Sequence, residues 1–305
     1  MRPRRAATDL AGVLAIDKPS GLTSHDVVAV VRGATGEGRI GHAGTLDPLA
    51  SGLLLVLVGR ATRLARYLVG HDKRYDARIT FGTTTDTLDA DGTITESVPV
   101  PPGVLDPAYA RRLLESLVGS HLQIPPAYSA IKTAGVAAHR RARAGDAPVL
   151  EPRPIVISEA RLVAVDPDAP SWDVTFAVSK GTYVRALARD VGRLAGTVAH
   201  LAALRRTSVG ALDLGSALTL DAALDSAREG TLPSCFIDPV PLLNLPVVHL
   251  VADEPRDGSP VSTHAGEQSD GDRVALLTPG GLLGIYVASR GVLRAETAFV
   301  PEIPR

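Results

Sequence analysis

The sequence predicts a mixed α/β protein with a small β-rich C-terminal domain, and three stretches carry the α/β part of that prediction. Leu53-Leu54-Leu55-Val56-Leu57-Val58 is an apolar run without alternation, which reads as a strand buried on both faces. Residues 73–81 alternate instead: Tyr75, Ala77 and Ile79 share one face, and Arg74, Asp76 and Arg78 share the other. Residues 184–194 repeat at helical spacing, with Val184, Leu187, Val191 and Leu194 as an apolar stripe and Arg185, Arg189 and Arg193 on another face.

The remaining elements follow from local signals. Residues 12–16 read as a first strand, stopped by Asp17-Lys18-Pro19-Ser20-Gly21. Thr23 or Ser24 suits the N-cap of a helix through Val31, although its valines leave a strand as the alternative. The glycine-rich residues 33–38 lack the Lys-Ser/Thr of a phosphate loop. Residues 61–69 have helical spacing, and residues 86–92 form an acidic turn without the closing Glu of a calcium loop. A proline-rich connector at 99–103 leads to a helix over 107–118. Pro125-Pro126 stiffens the next segment, and residues 139–145 are the most basic stretch of the chain. A solvated helix face is the default reading of that stretch, and a phosphate-contacting surface is the functional one. Residues 155–165 and 172–178 read as paired strands, and 201–209 as another. Beyond residue 239 come short turn-bounded strands at 273–277, 282–288 and 292–297, in a segment with five Lys and Arg against eight Asp and Glu. The expected domains are therefore 1–238 and 239–305.

Composition excludes several classes. A chain of 305 residues with 45% hydrophobic and 21% charged residues supports a sizeable core. The net charge of −1 argues against a uniformly basic nucleic-acid binder and leaves room for local patches. With a single cysteine, Cys235, neither a disulfide framework nor a cysteine-based zinc site is available, and the eight histidines lack metal-ligand spacing. No segment approaches the ~20 apolar residues that span a bilayer. The expectation is a soluble, reduced, cytoplasmic protein without metal.

Chemistry is best sought at Gly41-His42-Ala43-Gly44-Thr45-Leu46-Asp47-Pro48-Leu49-Ala50-Ser51-Gly52. Glycines and a proline fix this backbone, and they hold one carboxylate, Asp47, at the entrance to the buried strand. An Asp-Pro turn explains the same residues without catalysis, so spacing alone leaves both readings open.

Five motifs then stand together: Lys18-Pro19, residues 41–52, Lys73-Arg74-Tyr75, residues 125–132 (PPAYSAIK) and Lys180-Gly181-Thr182-Tyr183-Val184-Arg185. In this order and at these separations, over residues 12–210, the chain closely resembles the TruB-type bacterial tRNA pseudouridine-55 synthases. The resemblance implies a mixed, mainly antiparallel sheet with flanking helices, no cofactor and no metal. It also implies isomerisation of a T-loop uridine after base flipping. Asp47 takes the position of the nucleophile, Arg185 that of the arginine paired with it, and Tyr75 that of the aromatic residue stacking on the target base. His42 matches the histidine associated with extruding the uridine, Tyr183 and Leu204 match uracil-pocket positions, Lys18 matches a residue shaping the site, and Lys132 a phosphate contact. The segment near 120–150 corresponds to an RNA-gripping insertion, where Ala137 and His139 depart from the usual basic residue and tyrosine. The C-terminal segment corresponds to a reduced PUA-like domain. The expected partner is tRNA, bound by a monomer, with no membrane. The alternatives are a synthase for another structured RNA and an RNA-binding or tRNA-folding protein with secondary catalysis. A carboxylate hydrolase would need a second acid in a comparable setting, and the sequence offers none.

Overall fold

The computed structural model describes residues 8–129, 131–133, 136–146, 148, 150–250, 259–261 and 268–305; the side chains of 132, 133, 137, 139, 140 and 143 lie outside the described set. The chain begins with β1 (Gly12–Lys18), α1 (Ser24–Thr35), β2 (Ile40–Ala43), β3 (Ser51–Val58) and the single turn α2 (Ala65–Leu68). Next come β4 (Lys73–Phe81), β5 (Thr83–Thr85), β6 (Ile94–Ser97), α3 (Pro107–Glu115) and β7 (Gly119–Gln123). The short β8 (Lys132–Thr133), β9 (Val136–Ala137) and α4 (Ala138–Arg143) precede β10 (Arg153–Asp166), β11 (Ser171–Val178), α5 (Val184–Leu194) and β12 (Ala199–Val209). The last part holds β13 (Leu212–Asp213), β14 (Leu218–Thr219), α6 (Leu220–Glu229), α7 (Val240–Leu243), β15 (Val247–His249), β16 (Arg273–Thr278), β17 (Gly281–Ser289) and β18 (Val292–Ile303). The described residues fall into two compact units, one drawn from Met1–Asp47, Leu53–Gly70 and Ala211–Arg305, the other from Pro48–Gly52 and His71–Gly210.

In the first unit β1 lies between β14 and β3, and β2 runs antiparallel to β3 with Ile40 opposite Val58. Leu53 through Val58 are all fully buried, as their unbroken apolar run requires. Residues 24–31 are helical despite their valines, because Thr23 and Asp26 close a reciprocal capping box that satisfies the first-turn donors. The helix ends at Gly36, whose φ of +70° suits the left-handed C-cap. Glu37 then turns inward, accepting hydrogen bonds from the Thr8 amide and hydroxyl and from the Arg39 amide. The glycine-rich stretch 33–38 thus ends a helix and seats a buried acid.

Residues 61–69, expected to be one helix, form a 3₁₀ segment (Gly59–Leu64) followed by the single turn α2. Their arginines are turned to β18: Arg60, Arg63 and Arg66 donate to the main-chain carbonyls of Glu302, Ala298 and Glu296. Beside them the Tyr67 hydroxyl donates to Glu296 Oε2. β18 belongs to a separate four-stranded sheet, ordered β15-β16-β17-β18, around a core that includes Val274, Leu276, Tyr286 and Leu293. The three C-terminal strands expected from sequence are present, the last extending to Ile303.

The second unit is built on the antiparallel order β12-β4-β11-β10-β7. Ser51 and Gly52, the first residues of β3, run parallel to β12 opposite Arg205 and Arg206. The alternation of β4 places Tyr75, Ala77, Ile79 and Phe81 inside. Trp172, fully buried, donates from its indole nitrogen to Val104 O at 2.8 Å and meets Phe81 edge-on at 4.7 Å. Burying such a ring removes roughly 150–250 Å² from water, worth roughly 4–6 kcal/mol at ~25 cal/mol/Å². α5 packs on β12 through Val184, Leu187 and Val191. Leu194, expected in that stripe, is instead 56% exposed, because the helix ends there. The close approach is taken by Gly192, where a Cβ would come within 2.6 Å of the Ala199 amide nitrogen.

Candidate active site

In the first unit the loop before Asp47 is tied to α1. Ser24 Oγ accepts from the Leu46 amide at 2.8 Å and donates to the Leu46 carbonyl at 3.1 Å, fixing the residue ahead of Asp47 from both sides. Gly44, with φ +89°, makes the bend that a side chain would resist. Leu46 is buried and Asp47 half-buried, so the loop is anchored by its apolar residue and presents its acid. His42 sits in β2 opposite Val56, and its ring meets His25 of α1 edge-on at 5.3 Å. Lys18 is fully buried at the end of β1, where its ammonium donates to the carbonyls of Pro19 at 2.9 Å and Leu22 at 2.6 Å. Lys18 therefore shapes the turn leading into α1.

In the second unit Tyr75 lies on the inner face of β4, 7% exposed, between Phe176 of β11 and Arg206 of β12. Leu204 is the β12 partner of Ala77, one step further along the same face. Tyr183 and Arg185 come from the junction of β11 and α5. Tyr183 is held by its backbone: its amide donates to Gln123 Oε1 at 2.9 Å, and Gln123 Nε2 returns a bond to its carbonyl at 3.2 Å. Arg185 is buried at the start of α5 and donates to the carbonyls of Thr87 at 2.9 Å and Tyr128 at 3.0 Å.

That guanidinium also meets a residue that sequence reasoning missed. Asp89 Oδ2 lies 3.5 Å from Arg185 Nε, with side chains 7% and 6% exposed. Asp89 Oδ1 accepts from the Thr87 hydroxyl at 2.5 Å and the Asp91 amide at 3.2 Å. The loop carrying it is stitched to β12, with the Leu201 amide on Leu88 O and the Ala90 amide on Leu201 O, both at 3.0 Å. Leu88 pays for that register with a φ of +64°. Sequence showed this segment as an acidic, turn-rich loop. A left-handed Leu and a buried acid have no signature in spacing.

Lys132 has its backbone in β8, paired with Ala137 of β9, and its side chain lies outside the described residues, as do those of Ala137 and His139. Of the basic stretch, Arg141 is described and forms an ion pair with Asp146 at 2.7 Å. Lys73, one pleat from Tyr75 on the same face, donates to the His71 carbonyl. Burial and the neighbouring Arg206 and Lys180 cations lower its amine to about 8, against an opposing pull from Asp72.

Residues 32–184 match the model of the TruB family pseudouridylate synthase (N terminal domain), and residues 185–240 match that of the tRNA pseudouridylate synthase B C-terminal domain. A protein of Opitutus terrae called tRNA pseudouridine synthase B is 46% identical over 222 residues, covering 73% of this chain and 89% of its own. One of Syntrophotalea carbinolica with the same description is 38% identical and covers 92% and 93% of the two chains. Among solved structures, a chain of a Cbf5-Nop10-Gar1 complex has the same fold, with a TM-score of 0.66 at 23% identity over 96% of this chain and 85% of that one.

Proposed function

Because the chain belongs to the TruB family of pseudouridylate synthases, we propose that it isomerises uridine to pseudouridine in the T-loop of tRNA, at position 55. The observation that carries this reading is the 46% identity over 89% of a relative described as a tRNA pseudouridine synthase. The protein acts in the cytoplasm as a monomer, and the catalytic domain comprises residues 1–238. Two facts support that boundary: the family models end at residue 240, and a separate sheet begins at Val247.

The reaction breaks the N1–C1′ bond of the target uridine, turns the base within the site and joins C5 to C1′. C5 loses a proton and N1 gains one, so atoms and electrons balance without a cofactor. Asp47 is the carboxylate that assists cleavage. A nucleophilic carboxylate has to be ionised and shielded from bulk water, and a rigid loop with a buried Leu46 supports that role. Tyr75 is the stacking platform for the extruded base, since an aromatic face accepts any nucleobase taken from its stack. Its ring is held on a strand rather than a loop, which keeps that platform rigid. Leu204 and Tyr183 line the uracil pocket, and His42 fills the place the nucleotide leaves. Arg185 supplies positive charge to the site, its position set by Asp89 and two carbonyls. Lys132 contacts phosphate.

Incubation with an unmodified tRNA transcript, followed by site-resolved pseudouridine mapping, tests the proposal. Conversion at the T-loop uridine is the expected result, and wild-type protein that leaves this uridine unchanged overturns it. Binding draws on Lys and Arg contacts to phosphate, so affinity falls as salt rises.

A further inference from the structure

Three residues of α1 hold the segment that leads to Asp47, and they do so in order. Arg32, in the last turn, donates from its guanidinium to the carbonyls of Gly38 at 3.3 Å and Ile40 at 3.0 Å, where β2 begins. His25, in the first turn, meets the ring of His42 on β2. Its neighbour Ser24 bonds both backbone groups of Leu46. The helix and the segment 38–46 therefore run in opposite directions, and α1 splints the approach to the carboxylate. The first turn of that splint is itself fixed. Thr23 Oγ accepts from the Asp26 amide at 3.0 Å and the Thr23 amide donates to Asp26 Oδ2 at 2.8 Å, so the capping box closes the backbone on both sides of His25.

The ring contact adds something that the backbone ties cannot. A strand sets the direction of the Cα–Cβ bond and leaves the side-chain torsions to the neighbours. His42 is half-buried and His25 exposed, and their rings stand at a centroid distance of 5.3 Å and an interplanar angle of 84°. A perpendicular pair is attractive because the positive edge of one ring meets the negative face of the other. That attraction depends on angle as well as distance, so the contact sets the plane of the His42 ring and not only its place.

We propose that His25 is a positioning residue, which holds the His42 imidazole at the angle it needs to enter the nucleotide stack. The proposal rests on the pseudouridine synthase reading, in which His42 fills the place the extruded uridine leaves, and deepens it by naming what aims the ring. A ring that replaces a base has to lie parallel to the bases on either side, so orientation matters as much as reach. His25 acts through His42, and its own contact is with protein.

The test compares wild-type protein with His25→Ala, His25→Phe, His42→Ala and the double variant His25→Ala/His42→Ala, on unmodified tRNA transcript. Alanine is the better helix former and the position is exposed, so His25→Ala should fold. Its kcat should fall roughly three- to tenfold, the scale of one edge-to-face ring pair. Its affinity for transcript should stay within about twofold of wild type, because no RNA contact is removed. His25→Phe keeps a ring at the same place and should recover most of the lost turnover. In the double variant kcat should equal that of His42→Ala, since an absent ring cannot be aimed. In the free protein, the His42 ring signal in proton NMR, identified by its absence from His42→Ala, should shift and broaden in His25→Ala. Wild-type kcat in His25→Ala overturns the proposal, as does a His25→Phe variant no more active than His25→Ala. An unmoved His42 signal also overturns it, and so do additive losses in the double variant, which would make His25 a separate contact to RNA. Should the wild type bind transcript yet form no pseudouridine, the functional reading fails by itself, and the NMR comparison still decides whether His25 sets His42.

Discussion

Replacing Asp89 by Asn removes one charge from the pair that fixes Arg185 and leaves its shape almost unchanged. The side chains are 7% and 6% exposed, so solvent cannot make good the missing compensation. Deleting one partner of a buried ion pair typically costs roughly 3–5 kcal/mol. The amide still accepts at Oδ1 from Thr87 and Asp91, which places Asp89→Asn at the low end, about 3 kcal/mol, or more than about a hundredfold in the folding equilibrium. The assay is built into the molecule. Trp172 is the chain's single tryptophan, fully buried in the same unit, so its fluorescence during urea unfolding reports that unit. Arg185→Met and the double variant complete a cycle in which the double change should cost little more than either single one, with a coupling of about 3 kcal/mol. Turnover of Asp89→Asn should fall as well, because Arg185 loses its anchor. A variant within ~0.5 kcal/mol of wild type, with coupling of the same size, would refute the idea that Asp89 holds this arginine in place.

Three further outcomes are expected. Asp47→Asn should reduce pseudouridine formation more than about a thousandfold while tRNA affinity, by filter binding, changes only slightly. Gly52→Ala should destabilise by more than about 3 kcal/mol in thermal unfolding. Its φ is +100°, and a Cβ there would lie 2.3 Å from the Arg206 carbonyl oxygen, an atom of a paired strand that cannot give way. Glu296 provides a pH test. The Arg273 hydrogen bonds hold its carboxyl below the ordinary glutamate value of 4.5 against the opposing effect of burial, and Tyr67 and Arg66 assist them. The stabilisation is therefore present above the unfolded carboxylate range and lost as pH falls through the depressed folded value. Glu296→Gln should cost about 0.5–1 kcal/mol at neutral pH and converge with wild type in acid-titrated melts well below pH 4.5.

Regular elements were legible in the sequence where a single period governed them. The apolar run of β3, the alternation of β4 and the strand pair β10 and β11 all follow from side-chain spacing, because in each case one face or both had to be dry. The helix at 24–35 was ambiguous by propensity and was decided by Thr23 and Asp26, two polar residues whose reciprocal bonds outweigh the reluctance of its valines. Leu194 misled because periodicity does not say where a helix stops. Asp47, Tyr75 and Arg185 stood out as members of motifs. Asp89 did not, since its importance lies in a meeting with a residue 96 positions away, formed only when a strained loop is laid along β12. Gln123 is similar: its side chain completes the backbone of Tyr183, and no local pattern announces such a service.

The latch between residues 60–66 and β18 has a geometric corollary. Arg60, Arg63 and Arg66 reach peptide oxygens at positions 302, 298 and 296, and those oxygens are present whatever amino acid supplies them. Docking of this kind constrains the backbone path, while Thr297, Glu296 and Phe299 add side-chain contacts to Arg66, Tyr67 and Arg63. The three guanidinium groups therefore read the course of β18 as a strand, over the seven positions from 296 to 302.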